Sequence, residues 1–344
     1  TMIPAIFALA ESADVDGERA IEAYVAGLEA QCYVSAAINP SHYREGWHAT
    51  ATLGTFGAAA AAAKTLDLGP EAARNALSIA ASRAAGLKSN FGTMTKPLHA
   101  GTAARAGVTA ARLASGGFTA SPDAVDGDGG FLELYAGEDP VTLSELPALD
   151  RPTALEAHGI NVKKYPCCYY THTSIHAAER LADEHDVDPE DVESIHVVTS
   201  PGPADALHYP NPETGLEGKF SLEYTVASAV AREHVGVEAF EDGAVADPDV
   251  QRVRERVEWE IDDSLEYNDT TVEMRMETGD GVYTRVQDVP PGDPSNPLSD
   301  AELEAKFRRC ASRVLDEDVV DRTHEQLDSL RSVDDIGSIV SSED

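Results

Sequence analysis

Lysine is scarce in this sequence. Seven lysines and 19 arginines face 61 Asp and Glu among 344 residues, a formal net charge of -35. A chain so poor in cations offers no broad basic surface, which excludes nucleic acid and anionic membrane as partners held by charge. Cysteine is also rare. Four (Cys32, Cys167, Cys168, Cys310) make no disulfide framework at this length, and a reduced cytoplasm is the expected setting. No uncharged apolar run reaches about 18 residues, so no membrane-spanning helix is expected. Thr1–Glu11 lacks the basic region of a signal peptide. There is no Gly-x-Gly-x-x-Gly after a strand and no Walker-type Gly-x-x-x-x-Gly-Lys-Ser/Thr, so no nucleotide cofactor is expected. Aromatics are only 6 % of the chain. A core short of aromatics and rich in alanine requires helices packed backbone to backbone.

The acids are spread along the whole chain, and arginine is preferred to lysine. That pattern fits adaptation to high salt, where screening removes most self-repulsion. Periodicity places helices through 1–116. Apolar residues Ile21, Tyr24, Val25 and Leu28 recur at helical spacing over Gly17–Gln31. Thr52–Leu66 reads as a small-residue helix around the run Ala58–Ala63. Pro70 opens the next helix and Gly86 closes it; another runs from about His99 to Ser115. The stretch 120–160 is irregular, with a turn at 126–130.

From about Val162 the pattern changes. A helix at Thr173–Glu184 precedes a strand at Val192–Thr199, and a helix covers Ser221–His234. Val257, Trp259 and Ile261 alternate, as do Val272, Met274 and Met276. Gly279-Asp280-Gly281 turns the latter into Val282–Gln287, a hairpin. Prolines 290, 291, 294 and 297 mark a linker before a helical, charged C-terminus. The expected architecture is mainly α with an inserted α+β lid. A helical domain forms from 1–158 and 291–344, and a smaller α+β domain from 159–290.

Two segments concentrate the chemistry. Gly92–Gly101 carries Thr93, Thr95, Lys96 and His99; Val162–His172 carries Lys163, Lys164 and His172. They hold three of the seven lysines. Lysine and histidine near helix starts suit carboxylates, since backbone N–H groups and the dipole add to the side-chain charge. An acidic protein that takes a di- or tricarboxylate needs such a local cationic pocket. His48, His99 and His172 suit proton transfer near neutral pH, and Tyr224 can donate a proton or a hydrogen bond. Plainer readings stand beside these. Lone histidines commonly serve as structural hydrogen-bonding residues, Lys163 and Lys164 as solvated surface, Thr93 and Thr95 as caps, and Tyr224 as core. Cys167, Cys168, His172 and His176 invite a metal reading, but adjacent cysteines lack Cys-x-x-Cys spacing.

These segments resemble the MmgE/PrpD family of 2-methylcitrate dehydratase, cis-aconitate decarboxylase and their relatives. The likeness runs from Ile3-Pro4-Ala5 through Gly46-Trp47-His48-Ala49-Thr50-Ala51-Thr52-Leu53-Gly54 and both segments above. It continues through Phe220-Ser221-Leu222-Glu223-Tyr224 to Asn296-Pro297-Leu298-Ser299. The resemblance implies a helical domain interrupted by an α+β lid, a site between them, a homodimer, and no organic cofactor; from the cysteine spacing, no metal is expected either. It places catalytic roles on His48, Lys96, Lys163 and Tyr224 and also matches His99 and His172; with Thr95 and Lys164 from the residue reading, these are the expected substrate contacts. It also implies an Asp-Asp pair followed by His-Pro upstream of Ile3, so an incomplete helical domain with bare apolar helix faces is expected here. The expected activity is that of a 2-methylcitrate dehydratase-like hydro-lyase on a small polycarboxylate. A decarboxylase, an epimerase, and an inactive or partner-requiring family member are the alternatives.

Overall fold

The computed structural model describes residues 1–137, 141–146 and 153–340. The chain forms two compact units. The first comprises Thr1–Asn90, Thr95–Gly159 and Ala311–Asp344; the second comprises Phe91–Met94 and Ile160–Cys310. The molecule is mainly helical, as the patterning predicts, and its described residues form one small mixed sheet.

In the first unit five principal helices follow one another: α1 Met2–Ala10, α2 Gly17–Ile38, α3 Ala49–Thr65, α4 Pro70–Ala81 and α5 Thr95–Ser115. Asp16 caps α2 by accepting the Arg19 backbone N–H at 2.7 Å, and Pro70 sits in the first turn of α4, where no N–H is needed. The alanine-rich α3 is the centre, buried along almost its whole length. Its small faces let neighbours come close. A Cβ on Gly27 of α2 would lie 2.6 Å from the Gly57 carbonyl oxygen, and one on Gly107 of α5 only 2.5 Å from the Ala58 backbone. These crossings are made backbone to backbone, so any side chain there must push two helices apart.

The second unit contains α6 His172–His185, β1 Val192–Thr199, α7 Leu222–Ala231, α8 Pro248–Arg254, β2 Val257–Ile261, β3 Val272–Thr278, β4 Gly281–Gln287 and α9 Asp300–Ala311. Its sheet has the order β2-β1-β3-β4, with β1 and β2 parallel and the other pairs antiparallel. Val197 stands opposite both Trp259 and Met274. One face of β1 and β3 (Ile195, Val197, Met274, Met276) is buried in a single core with Ile175, Ala178 and Leu181 of α6 and Val226 and Val230 of α7. That burial follows from the period-2 alternation of the strands.

After α9 the chain returns to the first unit as α10, Glu317–Asp328. The Gly17 N–H donates to the Val333 carbonyl at 2.8 Å, and the Ile336 N–H to the Val15 carbonyl at 2.9 Å. Gly17 must be glycine here, because a Cβ would fall 1.6 Å from the Leu330 carbonyl oxygen. An apolar cleft of about 940 Å³ lies between α1, α2 and α10, walled by Ile3, Phe7, Ile21, Tyr24, Leu315 and Val319.

Several element bounds differ from the pattern. Helix α2 runs seven residues past Gln31, to Ile38. Helix α5 begins at Thr95, not His99, because Pro97 is tolerated inside a first turn. Helix α4 stops at Ala81, and Gly86 lies beyond it with φ +155. Helix α8 was not expected; Asp247 accepts from the Asp249 and Val250 N–H groups and Pro248 follows, a start signal in a short segment. Among the described residues no helix is long and apolar enough to cross a membrane.

Candidate active site

In the first unit, the turn Gly46–His48 is held against 86–88. The His48 N–H donates to the Gly86 carbonyl at 3.0 Å and the Lys88 N–H to the Gly46 carbonyl at 2.8 Å. His42 anchors the turn from behind. Its Nδ1 lies 2.7 Å from the Tyr135 carbonyl and its Nε2 2.7 Å from the Thr52 hydroxyl, and its ring stacks on Trp47. A carbonyl can only accept, so His42 Nδ1 carries the proton and Nε2 accepts from Thr52. Burial pushes the proton affinity of His42 down, which keeps it neutral in that role.

His48 is thereby fixed at the start of α3, buried, with Nδ1 2.9 Å from Nδ1 of His99. An N–H···N bond has one donor and one acceptor, so one of the two rings is unprotonated at Nδ1. Burial lowers the proton affinity of His99, and the charge of Lys96 lowers it further, which favours its neutral form. Gly86 admits this pair: a Cβ there would sit 2.4 Å from that of Ala51 and 3.5 Å from the His99 ring. Thr95 and Lys96 occupy the first turn of α5, half-buried, with His99 one turn on. The structure therefore brings together His48, His99 and Lys96. The preceding residues belong to the second unit, where Phe91 stacks on Phe220 at 5.0 Å and its carbonyl accepts from the Tyr209 hydroxyl at 2.8 Å.

In the second unit, Lys163 is exposed and its Nζ donates to the Cys167 carbonyl at 3.2 Å. Lys164 lies 3.9 Å from a Glu302 carboxylate oxygen. Tyr165 is buried and donates to Glu179 at 2.5 Å; burial and that carboxylate hold its hydroxyl far above the ordinary range. His172 opens α6, fully buried between the rings of Tyr165 and Tyr169. Neither of its nitrogens makes a hydrogen bond. Burial, then the charges of Lys163 and Lys306, bring its proton affinity down to about 3, against a smaller upward pull from the Tyr165 and Cys167 backbone. Tyr224 has no exposed surface, and its hydroxyl donates to the Ala239 carbonyl. Burial raises its pKa, so proton transfer by Tyr224 requires that this hydrogen bond be broken.

Sequence reasoning passed over His42, Lys88 and Lys219. Lys88 is buried with its ammonium 3.9 Å from the Tyr43 ring centre, and Lys219 is half-buried with its proton affinity lowered by burial. Only the scarcity of lysine pointed to them. Cys167 is buried, 3.2 Å from the Thr171 hydroxyl, and burial pushes its thiol up to about 12. A protonated thiol is a poor metal ligand or nucleophile. Among the described residues no three His, Cys, Asp or Glu side chains are grouped to hold a metal.

His172 gives a prediction about pH. It is neutral when folded, with its affinity at about 3, against an ordinary value of 6.5. The unfolded chain therefore binds the extra proton between those values. Stability is retained in full above pH 6.5 and lost as pH falls towards 3. Two pH units within that window correspond to about 2–3 kcal/mol. In chemical denaturation, the protein should lose about that much more than His172→Leu between pH 7 and 4.5. Equal losses would remove His172 as the cause.

Comparison with known proteins agrees with this arrangement of motifs. The MmgE/PrpD N-terminal domain matches residues 1–144 and the MmgE/PrpD C-terminal domain residues 165–331. The chain is 29 % identical to the cis-aconitate decarboxylase of Homo sapiens over 97 % of its own length and 71 % of the relative's. It is 30 % identical to that of Mus musculus over 84 % of this chain and 60 % of the relative, and 25 % identical to that of Aspergillus terreus over 98 % and 74 %. With both domain descriptions matched in order and most of the chain aligned, this protein belongs to the MmgE/PrpD family.

Proposed function

We propose that the protein is a lyase that acts on a small polycarboxylate at a carbon next to a carboxylate group. The observation that carries this reading is the part-buried His48–His99 pair beside Lys96, within a protein whose net charge otherwise repels such a substrate. In this reading Lys96, with the first-turn N–H groups of α5, binds a carboxylate and stabilises the negative charge that develops as a bond to the adjacent carbon breaks. A histidine held neutral serves as base. Lys163 adds a second cation, with Thr95 as a further substrate contact. Tyr224 is the candidate for the returning proton.

The neutral His99 supports elimination of water from a 2-methylcitrate-like acid: the base takes the proton on carbon, the double bond forms, and hydroxide leaves with a proton from an acid. A second reading is supported by the relatives, which are cis-aconitate decarboxylases. There the carbon–carbon bond to a carboxylate breaks, CO₂ departs, and the resulting carbanion takes a proton.

One pair of assays separates the two. The purified chain, in molar salt, is incubated with 2-methylcitrate or with cis-aconitate, following ultraviolet absorbance of the new double bond and CO₂ release. A conjugated product without CO₂ supports the hydro-lyase, and CO₂ from cis-aconitate supports the decarboxylase. Neither signal from folded protein overturns both.

A further inference from the structure

A second group of cations lies in the second unit, apart from every residue given a catalytic role above. Lys306 and Arg309 are one turn apart on α9, and with Lys164 they line a pocket of about 130 Å³. Pro166, Val237 and Leu298 form apolar walls. Lys306 and Arg309 make no ion pair or hydrogen bond among the described residues, although the chain holds 61 acids. Arg308, beside them, is paired with Glu304 at 2.7 Å. In so acidic a chain, unpaired cations converging on one hollow are unusual. A location near the C-terminus of α9 accounts for Arg309 through the helix dipole, but not for Lys164, which lies outside that helix. Among the described residues, Glu302 is the only acid on the pocket wall. Its carboxyl is held below the usual range, first by hydrogen bonds from Ser299, so it is ionised and opposes an anion. Three cations against one carboxylate leave the pocket positive.

A second observation points the same way. The proton affinity of the buried His172 is lowered first by burial and then by the charges of Lys163 and Lys306, so a cation of the pocket acts on a neighbouring interior group.

We propose that the pocket of Lys164, Lys306 and Arg309 binds a small multivalent oxyanion. A hollow of about 130 Å³ has room for phosphate or a short dicarboxylate. Arg309 offers a planar fork and the lysines two point charges, a set that takes either geometry. The bound anion competes with Glu302 for Lys164, and Lys164 is the chain neighbour of Lys163.

The test is isothermal titration of the whole chain with inorganic phosphate and, separately, with malonate, at fixed potassium chloride. Four proteins are compared: wild type, the Lys306→Ala/Arg309→Ala double variant, Glu302→Gln and Lys96→Ala, with circular dichroism confirming that each is folded. Saturable binding of at least one anion is expected. It should weaken at least 10-fold in the double variant and stay unchanged in Lys96→Ala. Glu302→Gln keeps the cap acceptor but removes the opposing charge, so binding should tighten several-fold. Phosphate alone, malonate alone, or both would each name the occupant. Equal binding by wild type and double variant, or no saturable heat from either anion, overturns the proposal. So does weaker binding in Glu302→Gln, which would mark the cluster as merely structural.

Discussion

Lys96→Ala should leave the helical unit folded and lower turnover of the polycarboxylate substrate by about 100- to 1000-fold, the usual effect of removing one preorganised charge stabiliser. Lys96 lies in the first turn of α5, where a cation opposes the helix dipole. Its removal therefore relieves a small electrostatic penalty, and circular dichroism should be unchanged. The variant also has a signature in pH. His99 is held down first by burial and then by Lys96. With Lys96 gone, the burial contribution remains and the electrostatic one disappears, so His99 gains a proton at a higher pH. If neutral His99 is the base, the acidic limb of the rate profile moves to higher pH. Turnover within a few-fold of wild type would take Lys96 out of the site. A large loss without the pH shift would leave Lys96 in place and move the base role to His48.

Lowering the salt from molar to about 0.1 M should unfold much of the protein, seen as loss of helical circular dichroism. At 0.1 M the Debye length is about 10 Å, and it falls to about 3 Å at 1 M. A net charge of -35 on 344 residues is then no longer screened between neighbouring side chains. The ion pairs do not offset this. Those of Arg180 with Glu184 and Arg252 with Asp249 are largely solvent-exposed, and such pairs contribute little. The alanine-lined crossings of α3 bury little apolar area per residue, so the margin against repulsion is thin. A spectrum unchanged over that range would refute the adaptation to high salt. Recovery with potassium chloride but not with an equimolar neutral osmolyte would locate the effect in screening.

Some of this was legible in the sequence for physical reasons. The run Ala58–Ala63 has no side chain able to fill space, so a close crossing was the only way to bury it, and Gly27 and Gly107 supply that crossing. The alternation of Val272, Met274 and Met276 and the Gly279-Asp280 turn gave the hairpin because both signals are local. The parallel pairing of β1 with β2 was not legible, since alternation identifies a strand but not its neighbour. In the site, scarcity of lysine drew attention to Lys96 and Lys163. The His48–His99 contact spans 51 residues and depends on the bridge between 46–48 and 86–88, which no periodicity encodes. The isolation of His172 was equally hidden, because burial between two tyrosines is a property of the folded core.

The junction at Val15 and Gly17 has a consequence for biosynthesis. Both residues are hydrogen-bonded to the stretch 333–336, more than 300 residues further along the chain. A ribosome adding about 5–20 residues per second needs roughly 15–60 s to deliver that stretch after Gly17 has emerged. During that interval α1 and α2 lack their last partner, while both pieces of the second unit, 91–94 and 160–310, emerge and have time to fold. Assembly of the first unit therefore waits for the stretch 333–336 to emerge. Slower codons between those for Gly17 and Val333 lengthen the interval in which the apolar faces of α1 and α2 are uncovered, and should lower the yield of folded protein.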